Sequence, residues 1–502
     1  MEPPKSEIDP AIPRGHPAGL RTLFFTEMWE RFSYYGMRAL LVLFMVDAVA
    51  DGGLGFTDKT ATAIYGLYTA GVYMVTLPGG WIADRLLGAQ KSIWYGGIII
   101  MCGHFVLAIP AFHTFFIGLV LVVLGTGLLK PNISAIVGEL YPPGDPRRDA
   151  GFTIFYMGIN LGAAIGPLIC STLGESETFG WHFGFAAAGV GMFFGLIQYR
   201  LSCSRLGTAG LKPSLNADNP DDRKKMRAGW RRVIIGLALL VACMVMFMSD
   251  RLKIDATKLS EYTATMIAAL AALYFVFLFT AGGLNPTEKK RLIVIIILFL
   301  ASAMFWAGFE QAGSSLNLFA ERYTQRVFGS FEIPAGWFQT LNPTFIIILA
   351  PVYSAMWVAL AKRQLDPSTP AKFALGLIIL ALGFVVMIGA AQLVVQGNQV
   401  LPTWLFFTYL LHTMGELALS PVGLSATTKL APKRYVGQMM GIWFLGGSLG
   451  GVIAGLIAGQ LSTEAVGDMP RLYTQIVLTT AGSGIMMALF IRPIKKLMGD
   501  VK

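Results

Sequence analysis

Glu27-Met-Trp-Glu30-Arg31-Phe-Ser-Tyr34-Tyr35-Gly36-Met-Arg38 lies inside the first long apolar segment of the chain, between Arg21 and Asp47. Two carboxylates and two guanidiniums within about 20 residues of would-be membrane helix need a reason, because a lone charge at bilayer depth costs several kcal/mol. At 100° per residue, Glu27, Glu30, Arg31, Tyr34, Tyr35 and Arg38 fall within an arc of about 140°. Phe24, Phe25, Phe32 and the Leu/Val run occupy the opposite arc. The spacing predicts a helix whose charged stripe faces a polar cavity and whose greasy side faces lipid. An ion-pair ladder inside a helix bundle would use the same residues, but a substrate or proton path accounts for the concentration of charge better.

Working outward, the composition agrees with a membrane setting. The 502 residues are 55% hydrophobic and only 14% charged, with a mean hydropathy of +0.61. A soluble chain carries about 25% charged residues. Met1 to Leu20 is Pro-rich and polar, without the short apolar core of a cleavable signal peptide. The net charge of +10 does not mark a nucleic-acid surface, because Lys and Arg fall mostly in alternate loops. Cys102, Cys170, Cys203 and Cys243 show no paired spacing, and His16, His104, His113, His182 and His412 are scattered. No metal site, disulfide framework or catalytic set is expected.

Apolar stretches bounded by charge or Gly/Pro give fourteen candidate spans, over 20–47, 60–83, 92–110, 114–140, 151–173, 181–200, 230–249, 262–283, 291–320, 337–361, 372–396, 402–429, 436–460 and 472–491. Of the 39 Lys and Arg, 29 collect on one side of this topology, 7 on the other, and Arg31, Arg38 and Lys130 lie inside spans. That asymmetry places both termini of a multi-pass membrane protein in the cytoplasm. The polar break at Ser202–Arg232, with Pro213, Asn219-Pro220 and Asp221-Asp222-Arg-Lys-Lys225, reads as a cytoplasmic linker. The expected organisation is 1–200 as an N-terminal six-helix bundle, 201–229 as linker, 230–289 as two extra helices and 290–502 as a C-terminal six-helix bundle. An all-α protein of two six-helix bundles around a central cavity has the build of the major facilitator transporters. The glycines near 446–459 have the spacing of helix-packing residues.

Depth sorts the buried charges. At 1.5 Å per residue, Glu27 lies ~9 Å from the cytoplasmic end of its span, Arg31 ~15 Å and Arg38 ~26 Å. Lys130 lies ~16 Å deep, Glu416 ~20 Å and Glu310 ~28 Å. Arg38 and Glu310 therefore share an outer level and Lys130 and Glu416 a middle one, each pair joining the first half to the second. Ion pairs bridging the halves at two depths suit gates that close in turn. Tyr73 (~18 Å), Asn160 (~14 Å) and Trp443 (~15 Å) lie at the middle level as well. Cations, a carboxylate, an amide and aromatic faces together fit a zwitterion. His412, one turn before Glu416, reads as a satisfied helix histidine.

These residues resemble a known family. Glu27-x-x-Glu30-Arg31-Phe-x-Tyr34-Tyr35-Gly36 is similar to the first-helix signature of the proton-coupled oligopeptide transporters. So are Gly79-Gly80-Trp-Ile-Ala83-Asp84-Arg-Leu-Leu-Gly88, Phe155-Tyr156-x-x-Ile159-Asn160-x-Gly162 and Phe305-Trp306…Glu310-Gln311…Ser314-Ser315. Lys130-Pro131-Asn132 and Gly415-Glu416…Ser420-Pro421-Val-Gly fit the same patterns, and the fourteen spans match the prokaryotic type. The resemblance implies proton-coupled symport of di- and tripeptides, with the proton as coupling ion and no other cofactor. It gives Glu27, Glu30, Arg31 and Lys130 to proton coupling. It makes Arg38 with Glu310 the outer gate and Lys130 with Glu416 the inner one. On the residues themselves the peptide carboxylate meets Lys130 and either Arg31 or Arg38; the resemblance sets Asn160, Asn342, Glu416 and Ser420 around its ammonium. Tyr34, Tyr35, Tyr73 and Trp443 form pockets, with Glu310 at the outer limit, and Gly79 to Gly88 is a cytoplasmic hinge. The expected partners are peptides, protons and the bilayer, with a functional monomer.

Three rivals remain on the residues alone. A related carrier for nitrate or another small anion shares the first-helix signature but has less use for Glu416. A membrane-embedded hydrolase needs a nucleophile with a matched base, and no Gly-x-Ser-x-Gly elbow is present. A non-transporting receptor has no need of Glu27 and Lys130.

Overall fold

Apolar runs in a bilayer become helices because only a helix or a closed barrel satisfies every backbone group without water. In the computed structural model, which describes residues 15–142, 145–216, 218–249, 251–460 and 463–499, fourteen helices of at least 17 residues appear. The expected cytoplasmic tails at 1–14 and 500–502 lie outside the described residues.

The first six are α1 (Ala18–Val46), α2 (Asp58–Met74, carried on by Thr76–Ile82 and a π-helical turn at Ala83–Leu87), α3 (Ala89–Leu107), α4 (Phe112–Glu139), α5 (Arg148–Gly174) and α6 (Trp181–Ser202). After the linker come α7 (Pro220–Met248) and α8 (Ala256–Thr280). α9 (Pro286–Phe309) runs through a 3-10 turn at Glu310–Gly313 into a further helix at Ser315–Tyr323. A small hairpin of β1 (Val327–Phe328) and β2 (Phe331–Glu332) and a 3-10 turn at Ala335–Thr340 lead to α10 (Leu341–Lys362). The last four are α11 (Thr369–Val395), α12 (Thr403–Leu430), α13 (Val436–Ala458) and α14 (Met469–Leu489). Each expected span holds one of these fourteen helices, α2 and α9 each being carried on by a shorter helical segment.

Ten of the fourteen are long and apolar enough to cross a membrane on composition alone. The four that are not, α1, α2, α3 and α12, include the carriers of Glu27, Glu30, Arg31, Arg38, the tyrosines of α2 and Glu416. Charged and polar side chains lower the hydropathy of α1, α2 and α12.

α1 to α6 pack chiefly on one another, as do α9 to α14, and the halves meet along α2–α13 and α5–α10. α8 lies against α2 and α13. α7 buries only Gly229, and its Ile234, Ile235, Leu239 and Val241 are exposed, as a helix surrounded by lipid tolerates. The arrangement is the major facilitator fold with two additional helices.

Glycines set the helix crossings. On α13, Gly451, Gly455 and Gly459 face Thr69, Gly66 and Thr62 of α2, while Gly446 and Gly450 face Phe299 and Trp306 of α9. The small-residue run therefore serves two faces of one helix, one inside its bundle and one across the halves.

Candidate substrate and proton site

α1 is not a lipid-facing helix. Gly158, Gly162 and Gly166 of α5 stand four residues apart, and their α-carbons press on the carbonyls of Phe24, Met28 and Phe32. Gly191 and Gly195 of α6 receive the Phe32 and Trp29 rings. Most of the greasy arc expected against lipid is thus packed on α5 and α6, with Leu23, Phe32, Met37 and Leu40 buried and Phe24 against Gly158, while Phe25 stays exposed. Backbone-to-backbone contact leaves no room for an acyl chain. This seating turns the charged stripe toward the facing bundle.

Within that stripe Arg31 Nε lies 3.0 Å from Glu27 Oε1 and 2.5 Å from Glu30 Oε2. Neither contact is aligned as a hydrogen bond, so Glu27 Oε2, both Glu30 oxygens and two Arg31 nitrogens keep free valences. Attraction without a directional lock leaves partners exchangeable. The guanidinium of Arg31 also stands 5.3 Å above the Tyr34 ring, which stacks on Tyr68 at 6.1 Å and meets Tyr35 edge-on at 5.1 Å.

Lys130 is held by a different device. Pro131 has no N–H for the Gly127 carbonyl one turn back, and that carbonyl instead faces the α-carbon of Gly79. This close crossing of α2 and α4 sets Lys130 Nζ 4.2 Å from the centre of the Tyr73 ring. A cation over an aromatic face is stabilised without a counter-ion. Among the described residues no ion pair joins Lys130 to Glu416, so the expected middle-level pair is apart in this arrangement.

The outer pair is formed. Arg38 Nη2 donates to Glu310 Oε2 at 2.9 Å, Arg38 Nε donates to the Tyr65 hydroxyl at 2.7 Å, and that hydroxyl donates to Glu310 Oε2 at 3.2 Å. The 3-10 turn at Glu310–Gly313 breaks α9 where the carboxylate leaves it, and Gly313 makes room for the Tyr65 hydroxyl. Arg38 further stands 5.5 Å above the Tyr35 ring.

On the facing bundle, Asn342 Nδ2 donates to Glu416 Oε2 at 2.9 Å and to Thr413 Oγ1 at 3.0 Å. The amide thus orients the carboxylate. Ser420 is half-buried one turn from Glu416 on α12. Asn160 Nδ2 donates to the Tyr156 carbonyl on its own helix at 2.9 Å. Trp443 is 8% exposed, its ring packed on Phe373 and over Gly423.

Two groups escaped the sequence reading. Tyr65 is the hub of the outer triad, and its spacing with Tyr68 and Tyr73 on one helix was the available signal. Asp58 pairs twice with Arg322, at 2.7 and 2.9 Å, across the halves. Both fall just outside the expected spans 60–83 and 291–320. With Asn317 donating to the Ala39 carbonyl at 2.8 Å, these contacts tie the bundles together at the end opposite the linker.

A protein-family model described as the POT family matches residues 90–472. This chain belongs to the POT family. The match starts after the α1 signature, but full-length relatives extend the likeness over α1. The peptide transporter YePEPT of Yersinia enterocolitica is 42% identical over 97% of this chain and 96% of its own. A di-/tripeptide transporter of Lactococcus lactis is 39% identical over 97% of this chain and 98% of its own. A crystal structure of a peptide transporter of the POT family, in complex with sulfate, superposes with a TM-score of 0.88 at 41% identity, covering 97% of this chain and 96% of that one. The POT fold and the fourteen helices described above are therefore shared along nearly the whole chain.

Proposed function

We propose that this protein carries di- and tripeptides into the cytoplasm together with protons, by alternating access. The observation that carries the reading is an asymmetry between two potential bridges: Arg38–Glu310 is closed while Lys130 and Glu416 stand apart. A carrier whose halves rock about a central site must make one set of contacts as it breaks the other. The relatives named for peptide and di-/tripeptide transport support the substrate class. A hydrolase has no place in such a family, and a carrier for nitrate would have no ammonium to offer Glu416.

In this reading Glu27, Glu30 and Arg31 form the proton-coupling group, and Lys130 exchanges between them and the substrate carboxylate. A proton on Glu27 loosens Arg31, so that peptide and proton bind cooperatively. Arg38 and Lys130 receive the peptide carboxylate. Glu416, oriented by Asn342, receives the ammonium, with Asn160 and Ser420 beside it. Tyr34, Tyr35 and Tyr73 line side-chain pockets, and Trp443 backs them. Residues 1–200 and 290–502 are the two moving halves, 201–229 the linker and 230–289 the added pair of helices. The linker end faces the cytoplasm of a bacterial inner membrane, and the monomer is the working unit. Uptake of labelled dialanine into proteoliposomes, with and without an imposed pH difference, tests the reading. Accumulation that ignores the pH difference would refute it.

A further inference from the structure

A groove of about 610 Å³ opens beside the start of α1, at the linker end of the first bundle. Its walls come from α1, from Ile154 of α5 and from Arg205 in the 3-10 turn that follows α6. Gly158 sets its shape: the Phe24 ring and the Phe24 carbonyl both press on that α-carbon, which draws α1 onto α5. Leu20 lines the groove and is buried, whereas Phe25 is exposed and meets the Phe24 ring edge-on at 5.1 Å.

Charge and apolar surface are layered along this groove. Arg21 and Arg205 both line it and are exposed. Among the described residues neither forms an ion pair, and no carboxylate lines the groove. Asp145, the acid beside His16, is already taken by Arg147 at 2.7 Å. At 1.5 Å per residue, Phe25 lies ~6 Å further along α1 than Arg21. Past Ile154, Leu161 and Ile165 stand exposed on the same face of α5. That run is ~16 Å long, close to the ~15 Å of hydrocarbon in one leaflet. Cations at one level, aromatic rings at the next and an aliphatic track beyond match the layers of a single leaflet.

We propose that this groove binds an anionic phospholipid of the linker-end leaflet. Its phosphate lies against Arg21 and Arg205, and an acyl chain follows Phe25, Ile154, Leu161 and Ile165. Guanidiniums pair with phosphate oxygens through two parallel N–H bonds, so two unpaired ones at headgroup level select on charge. A zwitterionic lipid fits the same apolar track but brings a cation of its own to the arginines. A free anion gains nothing from the track. The proposal goes beyond the transport reading and needs only that this end of the bundle lies at the membrane surface.

The test places p-benzoylphenylalanine at Phe25 of the full chain, in vesicles mixing phosphatidylglycerol and phosphatidylcholine at a known ratio. After illumination, mass spectrometry counts the adducts of each lipid. Phosphatidylglycerol adducts should exceed the bilayer ratio by about 5–30-fold, the worth of one to two arginines at an anionic headgroup. The same photoreactive group at Leu300, exposed on α9 with no charged residue within a turn, should report the bilayer ratio. Arg21→Ala with Arg205→Ala should bring the Phe25 position down to that ratio, and lysine at both positions should keep most of the enrichment. Bilayer-ratio adducts at Phe25 in the parent, or equal enrichment at Leu300, overturn the proposal. So does enrichment that survives the double alanine variant. Adducts to residues 1–14 of the chain itself, which carry Glu2, Glu7 and Asp9, would give the groove to that segment instead. Enrichment lost with inorganic phosphate, but not with chloride of equal ionic strength, would assign the arginines to a free anion and equally overturn it.

Discussion

Arg38 and Glu310 meet at 2.9 Å across the two bundles, and the Tyr65 hydroxyl is bonded to both. All three are buried, so each depends on the others for its polar partners. Removing one member of a buried ion pair costs about 3–5 kcal/mol, because the other charge is stranded. Arg38→Ala and Glu310→Ala should each lower the melting temperature in detergent, and the double variant should lose less than the sum of the two. Strict additivity in that cycle would show that the pair is not coupled. Cross-linking of Arg38→Cys to Glu310→Cys should also succeed only with the cavity open to the cytoplasm.

Lys130 leans on a ring rather than on a carboxylate, 4.2 Å from the centre of Tyr73. A cation so placed is free to take up a substrate carboxylate without first breaking a salt bridge. Lys130→Ala is expected to abolish gradient-driven dialanine uptake. Tyr73→Leu keeps the bulk and removes the π face, worth about 0.5–2 kcal/mol, so KM should rise between twofold and thirtyfold. Normal accumulation by Lys130→Ala would remove this residue from the scheme.

Glu416 is held by Asn342 at 2.9 Å and is ready for a cationic group. Glu416→Gln should raise the KM for dialanine by about 10–100-fold, the loss of one charge-assisted contact. Asn342→Ala should raise it less, since the carboxylate stays but swings. Competition by N-acetyl-dialanine, which lacks the ammonium, should be unchanged in both variants. Equal weakening for the blocked peptide would place Glu416 away from the amino end.

Much of this was legible in the chain. Fourteen spans could be counted because apolar length is a local property. The outer pair could be found because Arg38 and Glu310 are rare charges at one depth. What depth cannot give is azimuth. Lys130 and Glu416 share a level, yet the Gly79–Gly127 crossing directs Lys130 to Tyr73. The greasy side of α1 was read as lipid-facing because hydropathy does not distinguish an acyl chain from the glycine face of a neighbouring helix. Asp58 and Arg322 were missed for a third reason: at the ends of spans they look like ordinary loop charges until the two bundles are docked.

That glycine face yields a stability prediction. The α-carbon of Gly162 sits against the carbonyl of Met28, which lies between Glu27 and Glu30 in the chain. Gly162→Ala forces α1 and α5 apart and should destabilise the protein by about 1–3 kcal/mol. Thermal melting in detergent reads the loss. The same substitution at Gly437, which has open space around it, should leave the melting temperature nearly unchanged.

The last prediction concerns coupling. Glu27 Oε1 is 3.0 Å from Arg31 Nε, close enough to attract but off the line of the N–H bond, and Glu27 Oε2 has no partner. Glu27→Gln keeps the shape and fixes the neutral form, so Arg31 is permanently loosened and peptide binding no longer waits for a proton. Exchange of labelled for unlabelled dialanine across the membrane should survive, since both half-cycles remain open to the loaded carrier. Accumulation driven by a pH difference should vanish, since nothing at this position binds a proton on one side and releases it on the other. If the variant still concentrates dialanine under a proton gradient, the coupling proton resides on another group, and Glu30, whose two oxygens also lack hydrogen-bond partners, is the next residue to replace.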